Sequence, residues 1–246
     1  MLSRPPWIRI PEADRRAIGF LWDDARGLEQ RDHAAPVSEA LLQGLSPRAA
    51  LALAVAVHEW IVWRFEGLES RADPLLVLQA GWCATVDPRY LAYCELRRTA
   101  WVGPIAGPLW CAYTWLQRGL TQARQFSGDL HDSIRVLVRL ARHVMPAGAG
   151  FDAWLEAIGP RLLAHSPPPV LDPADDLFDD ELAERLGPLV GPSVLNPMAV
   201  PDPVGDRAFL EQQFADARAQ ANPLLATPKA LVDAGFFGVP YVVPRC

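Results

Sequence analysis

SPRAALALAVAVHEWIVWRFE, residues 46–66, decides the fold class. Ser46 followed by Pro47 reads as a helix start, with a side-chain cap and a proline in the first turn where its missing N–H costs nothing. On a 100° wheel, Arg48, Glu59 and Glu66 share one narrow stripe, Arg64 stands apart, and nearly every other direction is apolar. A helix apolar almost all round is surrounded by protein. This stretch is therefore the expected centre of a multi-helix core.

Working outward, the apolar spacing stays helical through most of residues 12–165, and no run alternates convincingly with period two. The pattern predicts helices at about 12–26, 37–45, 47–66, 74–85, 88–101, 108–124, 129–145 and 150–164. Short loops between them favour antiparallel neighbours. The predicted fold is mainly α: a single bundle-like domain of about 8–10 helices over residues 1–166. Residues 167–246 read as a proline-rich, acidic, partly irregular appendage wrapped on that core. Within it, helices are predicted at about 206–219 and 228–234, the latter framed by Thr227, Pro228 and Gly235. A third, short one is possible at 175–186.

Composition excludes several classes. Half of the 246 residues are hydrophobic and 21% are charged, an ordinary balance for a folded chain. Lys229 is the only lysine and sits in Thr-Pro-Lys-Ala, so neither a phosphate-binding P-loop nor a lysine Schiff base is expected. The net charge of −6 is uneven: residues 1–150 carry 17 arginines against 15 acids (+2), and residues 151–246 carry 6 bases against 14 acids (−8). Nucleic acid is not an expected partner of such a surface. The arginine, alanine and proline bias suits a GC-rich bacterial genome.

Cys83, Cys94, Cys111 and Cys246 form no Cys-x-x-Cys pair, which argues against structural zinc and a disulfide scaffold. A reducing, cytoplasmic compartment is expected. The start, MLSRPPW, lacks the apolar region of a secretory signal. Residues 99–117 hold no charge and approach membrane-spanning length. Gly103-Pro104 and Gly107-Pro108 argue against a continuous helix in their first half, so a buried element is expected and no membrane.

Candidate chemistry is sparse. His58-Glu59 evokes a zincin helix, but position 62 is Val where a second His is required. Adjacent helix residues point about 100° apart, so the two do not readily share one ligand. His58 reads as a hydrogen-bonded core histidine. His131-Asp132 is reminiscent of the paired ligands of metal-dependent phosphohydrolases without companions, and helix-dipole complementarity explains it: acids in the first turn, Arg139, Arg142 and His143 towards the last. Arg135, Arg139 and Arg142 form a basic stripe. No cofactor, metal or catalytic set is assigned.

Six of the nine tryptophans fall between Trp60 and Trp115 and read as a tryptophan-rich core. His58, Trp60, Trp63, Trp82, Trp101 and Trp110 are expected to be buried, with Glu59 paired or near an edge. Seven carboxylates crowd residues 172–184: Asp172, Asp175, Asp176, Asp179, Asp180, Glu181 and Glu184. Their mutual repulsion suggests a surface for a basic partner protein. The leading expectation is thus a non-catalytic interaction component, such as an adaptor, an immunity protein or an assembly subunit. The alternative is a helical enzyme or small-molecule-binding protein with its site at His58/Glu59 or His131/Asp132. The sequence does not set the oligomeric state.

Overall fold

The computed structural model describes residues 2–25, 37–122, 128–168 and 186–244. Among them are ten α-helices: α1 Glu12–Arg16, α2 Glu39–Gly44, α3 Pro47–Arg64, α4 Asp73–Val86, α5 Gly103–Gln122, α6 Asp129–Val144, α7 Phe151–His165, α8 Pro192–Leu195, α9 Pro203–Ala219 and α10 Pro228–Asp233. No strand forms among the described residues, and Leu91 and Leu225 make an isolated antiparallel bridge. The fold is mainly α.

Helix α3 is the hub. Every residue from Arg48 to Arg64 is buried, and α4, α5, α6 and α7 all pack on it. Ser46 caps it as its sequence predicts, its hydroxyl accepting from the Ala49 N–H at 3.1 Å. The same hydroxyl meets that of Ser166 at 2.6 Å, which ties the start of α3 to the end of α7. Both arginines of α3 are buried and donate N–H groups to backbone carbonyls. Arg48 donates to Val86 and Gly187. Arg64 donates to Arg15, Ala17 and Val144.

That last cluster explains one departure from the sequence pattern. The helix expected at 12–26 ends at Arg16. The carbonyls of Arg15 and Ala17 are taken by the Arg64 guanidinium, so they are drawn out of the helical ladder.

The predicted helix at 88–101 is a second correction. Only the 3₁₀ turns Pro88–Tyr90 and Arg98–Ala100 form there. Backbone groups of this segment bond across to 224–226 rather than along a helix: the Ala92 N–H donates to the Leu224 carbonyl and Tyr90 accepts from the Ala226 N–H, both at 2.8 Å. Side chains of α5 take further carbonyls, Trp110 at Leu96 and Tyr113 at Cys94.

A third correction concerns the Gly-Pro pairs. Helix α5 runs unbroken from Gly103 through Pro108. Pro108 sits so near the N-terminus that only the bond to the Pro104 carbonyl is lost. The first N–H of the helix, at Gly103, is satisfied by the Asp24 carboxylate at 2.8 Å. No helix among the described residues is long and apolar enough to cross a membrane.

Residues 186–244 lie against this helical body. The Arg161 side chain holds the carbonyls of Ser193, Val194 and Ala199. The Asn222 amide reaches Leu76 and Gln79 on α4. Tyr90 is enclosed by the rings of Phe214, Phe236 and Tyr241. Helix α9 packs on α4, and residues 2–7 line a cavity with it.

Candidate functional site

His58 and Glu59 are neighbours on α3 and point to different surroundings, as their 100° separation requires. His58 faces α5, is 1% exposed, and neither ring nitrogen completes a hydrogen bond. Burial drives its pKa down to about 3, and the nearby backbone of Ala112 opposes that shift only in part. The ring is neutral and sealed. The hydrogen-bonded core histidine expected from the sequence is a core histidine without its bonds.

Glu59 faces the other way, towards α4 and α9. It is 2% exposed and lines a cavity of about 480 Å³ between α4, α9 and residues 2–7. That volume lies within the range of small-molecule sites. The Trp63 indole N–H, one turn along α3, donates to the Glu59 Oε1 at 3.2 Å. The Trp82 indole on α4 lies beside the same carboxyl, close enough to favour its ionised form slightly while falling short of a full hydrogen bond. Burial dominates and pushes the pKa of Glu59 up to about 8. No cation among the described residues pairs with it. The expectation of a paired or edge position is corrected: Glu59 is deep, and only indole N–H groups face it.

Three rings and three prolines contribute to the rest of the wall. Trp82 stands edge-on to Phe209 of α9, with ring centroids 5.2 Å apart, and Trp7 comes from the chain segment that closes one side. Three polar atoms of lining residues have no partner: Trp7 Nε1, Trp82 Nε1 and Gln213 Oε1. At the rim, Arg4 donates to Glu66 at 2.9 Å, and Gln212 donates to Asp216 at 2.7 Å. Buried polar atoms left unpaired are uncommon and costly. Several residues around one cavity carrying such atoms, beside an uncompensated carboxyl, mark this as the candidate site.

No family model, curated protein or solved structure matches the chain. The site is therefore argued from its own chemistry.

The other residues singled out in the sequence fall elsewhere. His131 and Asp132 open α6, where Asp132 pairs with Arg135 at 2.5 Å and Arg135 also pairs with Glu39 of α2. His131 is half-buried, and its pKa is lowered by burial and by the Arg135 charge. Arg142, the far end of the basic stripe, meets Asp152 of α7 at 2.6 Å. The stripe thus helps staple α6 to its neighbours. Among the described residues no group of three or more His, Cys, Asp or Glu could hold a metal ion. Cys83 and Cys94 are free thiols, and burial pushes that of Cys83 well up. The partner-binding candidates Asp172, Asp175, Asp176, Asp179, Asp180, Glu181 and Glu184 lie outside the described residues.

Of the expected core, Trp60, Trp63, Trp82 and Trp101 are buried with His58, while Trp110 is half-buried. Sequence reasoning found Glu59 and Trp82 but missed Trp7, Phe209, Gln213 and Asp216. A signal existed for the last three. They sit at i, i+4 and i+7 on α9, one stripe beside the apolar stripe of Leu210, Phe214 and Ala217. The contribution of Trp7 depends on how the chain start folds back, for which no local pattern speaks.

Proposed function

We propose that this chain is a small-molecule-binding protein whose ligand occupies the cavity over Glu59. The observation that carries the proposal is a cavity walled partly by a buried, cation-free carboxyl and by residues that hold buried polar atoms without partners. A buried carboxyl lacks a cation, and two indole N–H groups and an amide oxygen on lining residues lack partners, all around about 480 Å³. A folded chain gains nothing from leaving such groups unsatisfied, whereas a ligand carrying complementary donors and acceptors recovers their cost on binding. The aromatic walls supply the apolar contact that gives a small ligand most of its affinity. This is the second of the functions expected from the sequence, with Glu59 and not His58 at its floor. Recognition of a basic protein through the acidic run at 172–184 remains a proposal from sequence alone.

The test is a thermal-shift and intrinsic tryptophan fluorescence screen with small cations, anions and neutral heterocycles. It is run in parallel on wild type and on Gln212→Trp, which places an indole across the rim at an exposed position. Saturable binding to wild type that Gln212→Trp weakens at least tenfold supports the proposal. A ligand at 100 times its Kd stabilises the folded state by about 2.7 kcal/mol, a readily measured shift. Absence of saturable binding by every class, or binding that Gln212→Trp leaves untouched, overturns it.

A further inference from the structure

We infer that the ligand of this cavity is an organic cation, an alkyl- or arylalkylammonium, seated against Glu59 among Trp7, Trp82 and Phe209. The inference rests on the small-molecule reading above and names the ligand's charge. Three observations converge on it. The buried acidic group of the cavity, Glu59, has no cationic side chain beside it among the described residues. Three lining residues, Trp7, Trp82 and Phe209, carry aromatic rings, and such rings attract an ammonium group more strongly than a neutral or anionic one. At the rim, the Arg4 guanidinium is engaged by Glu66.

The charged and titratable groups around Glu59 are few. Arg4 comes from the chain start and Asp216 from α9, while Cys83 of α4 lies next to Trp82 and is held as a thiol. None of them contributes to the displacement of Glu59, which burial causes and the two indoles partly oppose. In the empty cavity at pH 7 the carboxyl is therefore mostly protonated. Seating an ammonium ion converts it to the carboxylate, so the proton of Glu59 leaves to solvent as the ion pair forms. Cation binding then releases close to one proton at pH 7, and affinity climbs about tenfold per pH unit up to pH 8 before levelling.

Isothermal titration calorimetry on the full chain tests this with matched probes: choline against 3,3-dimethylbutan-1-ol, and benzylammonium against benzyl alcohol and benzoate. Proton release is read by repeating the titrations in buffers of different ionisation enthalpy. Each cation is expected to bind at least tenfold more tightly than its neutral isostere and to release close to one proton. Glu59→Gln is expected to lose both the preference and the release while still binding the alcohols. The wild-type proton count stands on its own if that variant folds poorly. Equal binding of cation and neutral isostere, tighter binding of benzoate, or no proton release each overturns the inference. If the broader screen has yielded a neutral or anionic ligand blocked by Gln212→Trp, the cavity reading survives that failure. If nothing binds, both fall.

Discussion

The neighbours His58 and Glu59 together contribute a flat-topped component to the pH profile of stability, with each edge belonging to one residue. Burial raises the pKa of Glu59 from its ordinary 4.5 to about 8. Above pH 4.5 the unfolded chain gives up this proton and the folded chain keeps it, so stability falls as pH rises, until about pH 8. At about 1.4 kcal/mol per unit, the whole descent amounts to roughly 5 kcal/mol. His58 behaves in the opposite sense. Its pKa drops from 6.5 to about 3, so below pH 6.5 the unfolded chain takes up a proton that the folded chain refuses. Its contribution falls as pH falls, again by roughly 5 kcal/mol in all.

Between pH 4.5 and 6.5 the two slopes are equal and opposite, and their sum is constant. Above 6.5 the Glu59 slope acts alone and removes roughly 2 kcal/mol by pH 8; below 4.5 the His58 slope alone removes a similar amount by pH 3. The assay is urea denaturation at half-unit steps from pH 3.5 to 9, on wild type and Glu59→Gln. Subtracting the two curves cancels every group they share. The difference should be level below pH 4.5, change by about 1.4 kcal/mol per unit to pH 8, and level again, with the Gln variant relatively more stable at high pH. Parallel curves across pH 5 to 8 would refute the buried, unpaired state of Glu59, and the cavity argument would lose its floor.

Three further outcomes follow from particular contacts. Arg64→Ala removes the donor to three carbonyls and should cost about 3 kcal/mol or more, with cleavage by trypsin or a similar protease appearing first around residues 15–25. Gly119→Ala should destabilise by about 1–3 kcal/mol in thermal melts despite a helix-propensity gain of about 1 kcal/mol, because the added Cβ lies 2.8 Å from the Ser133 Cβ across the α5–α6 contact. The companion change Ser133→Gly should restore most of that loss. Asn222→Ala strips two bonds to α4 and one to the Leu224 N–H, and should lower stability by about 2 kcal/mol in urea titrations.

Where local signals and tertiary demands agreed, the chain was readable. The all-round apolar surface of 47–64 announced a buried helix, and Ser46, Pro47, Thr227, Pro228 and Gly235 marked ends that the structure keeps. Misreadings cluster where a backbone group is claimed from far away in sequence. The segment 88–101 has helical spacing, yet its carbonyls and N–H groups serve 224–226 and the side chains of α5. Residues 17–25 have it too, yet a buried guanidinium on α3 holds the carbonyls at their start. Periodicity reports which side chains seek the core. It carries no information about which remote donor will reach a given carbonyl.

The candidate site shows the same division within two adjacent residues. Helix geometry alone separates His58 from Glu59 by 100°, and that much was legible. What each side chain meets was not, because the difference lies in the neighbours: a packed wall of α5 for one, an aromatic cavity closed by α9 and residues 2–7 for the other. Burial neutralises both groups, the imidazole by withholding a proton and the carboxyl by retaining one. The consequences diverge. A neutral imidazole sealed against packed helices has nothing to exchange with. A neutral carboxyl at the floor of a cavity holds a proton that a cation arriving from outside can displace, which makes Glu59 the chemically available member of the pair.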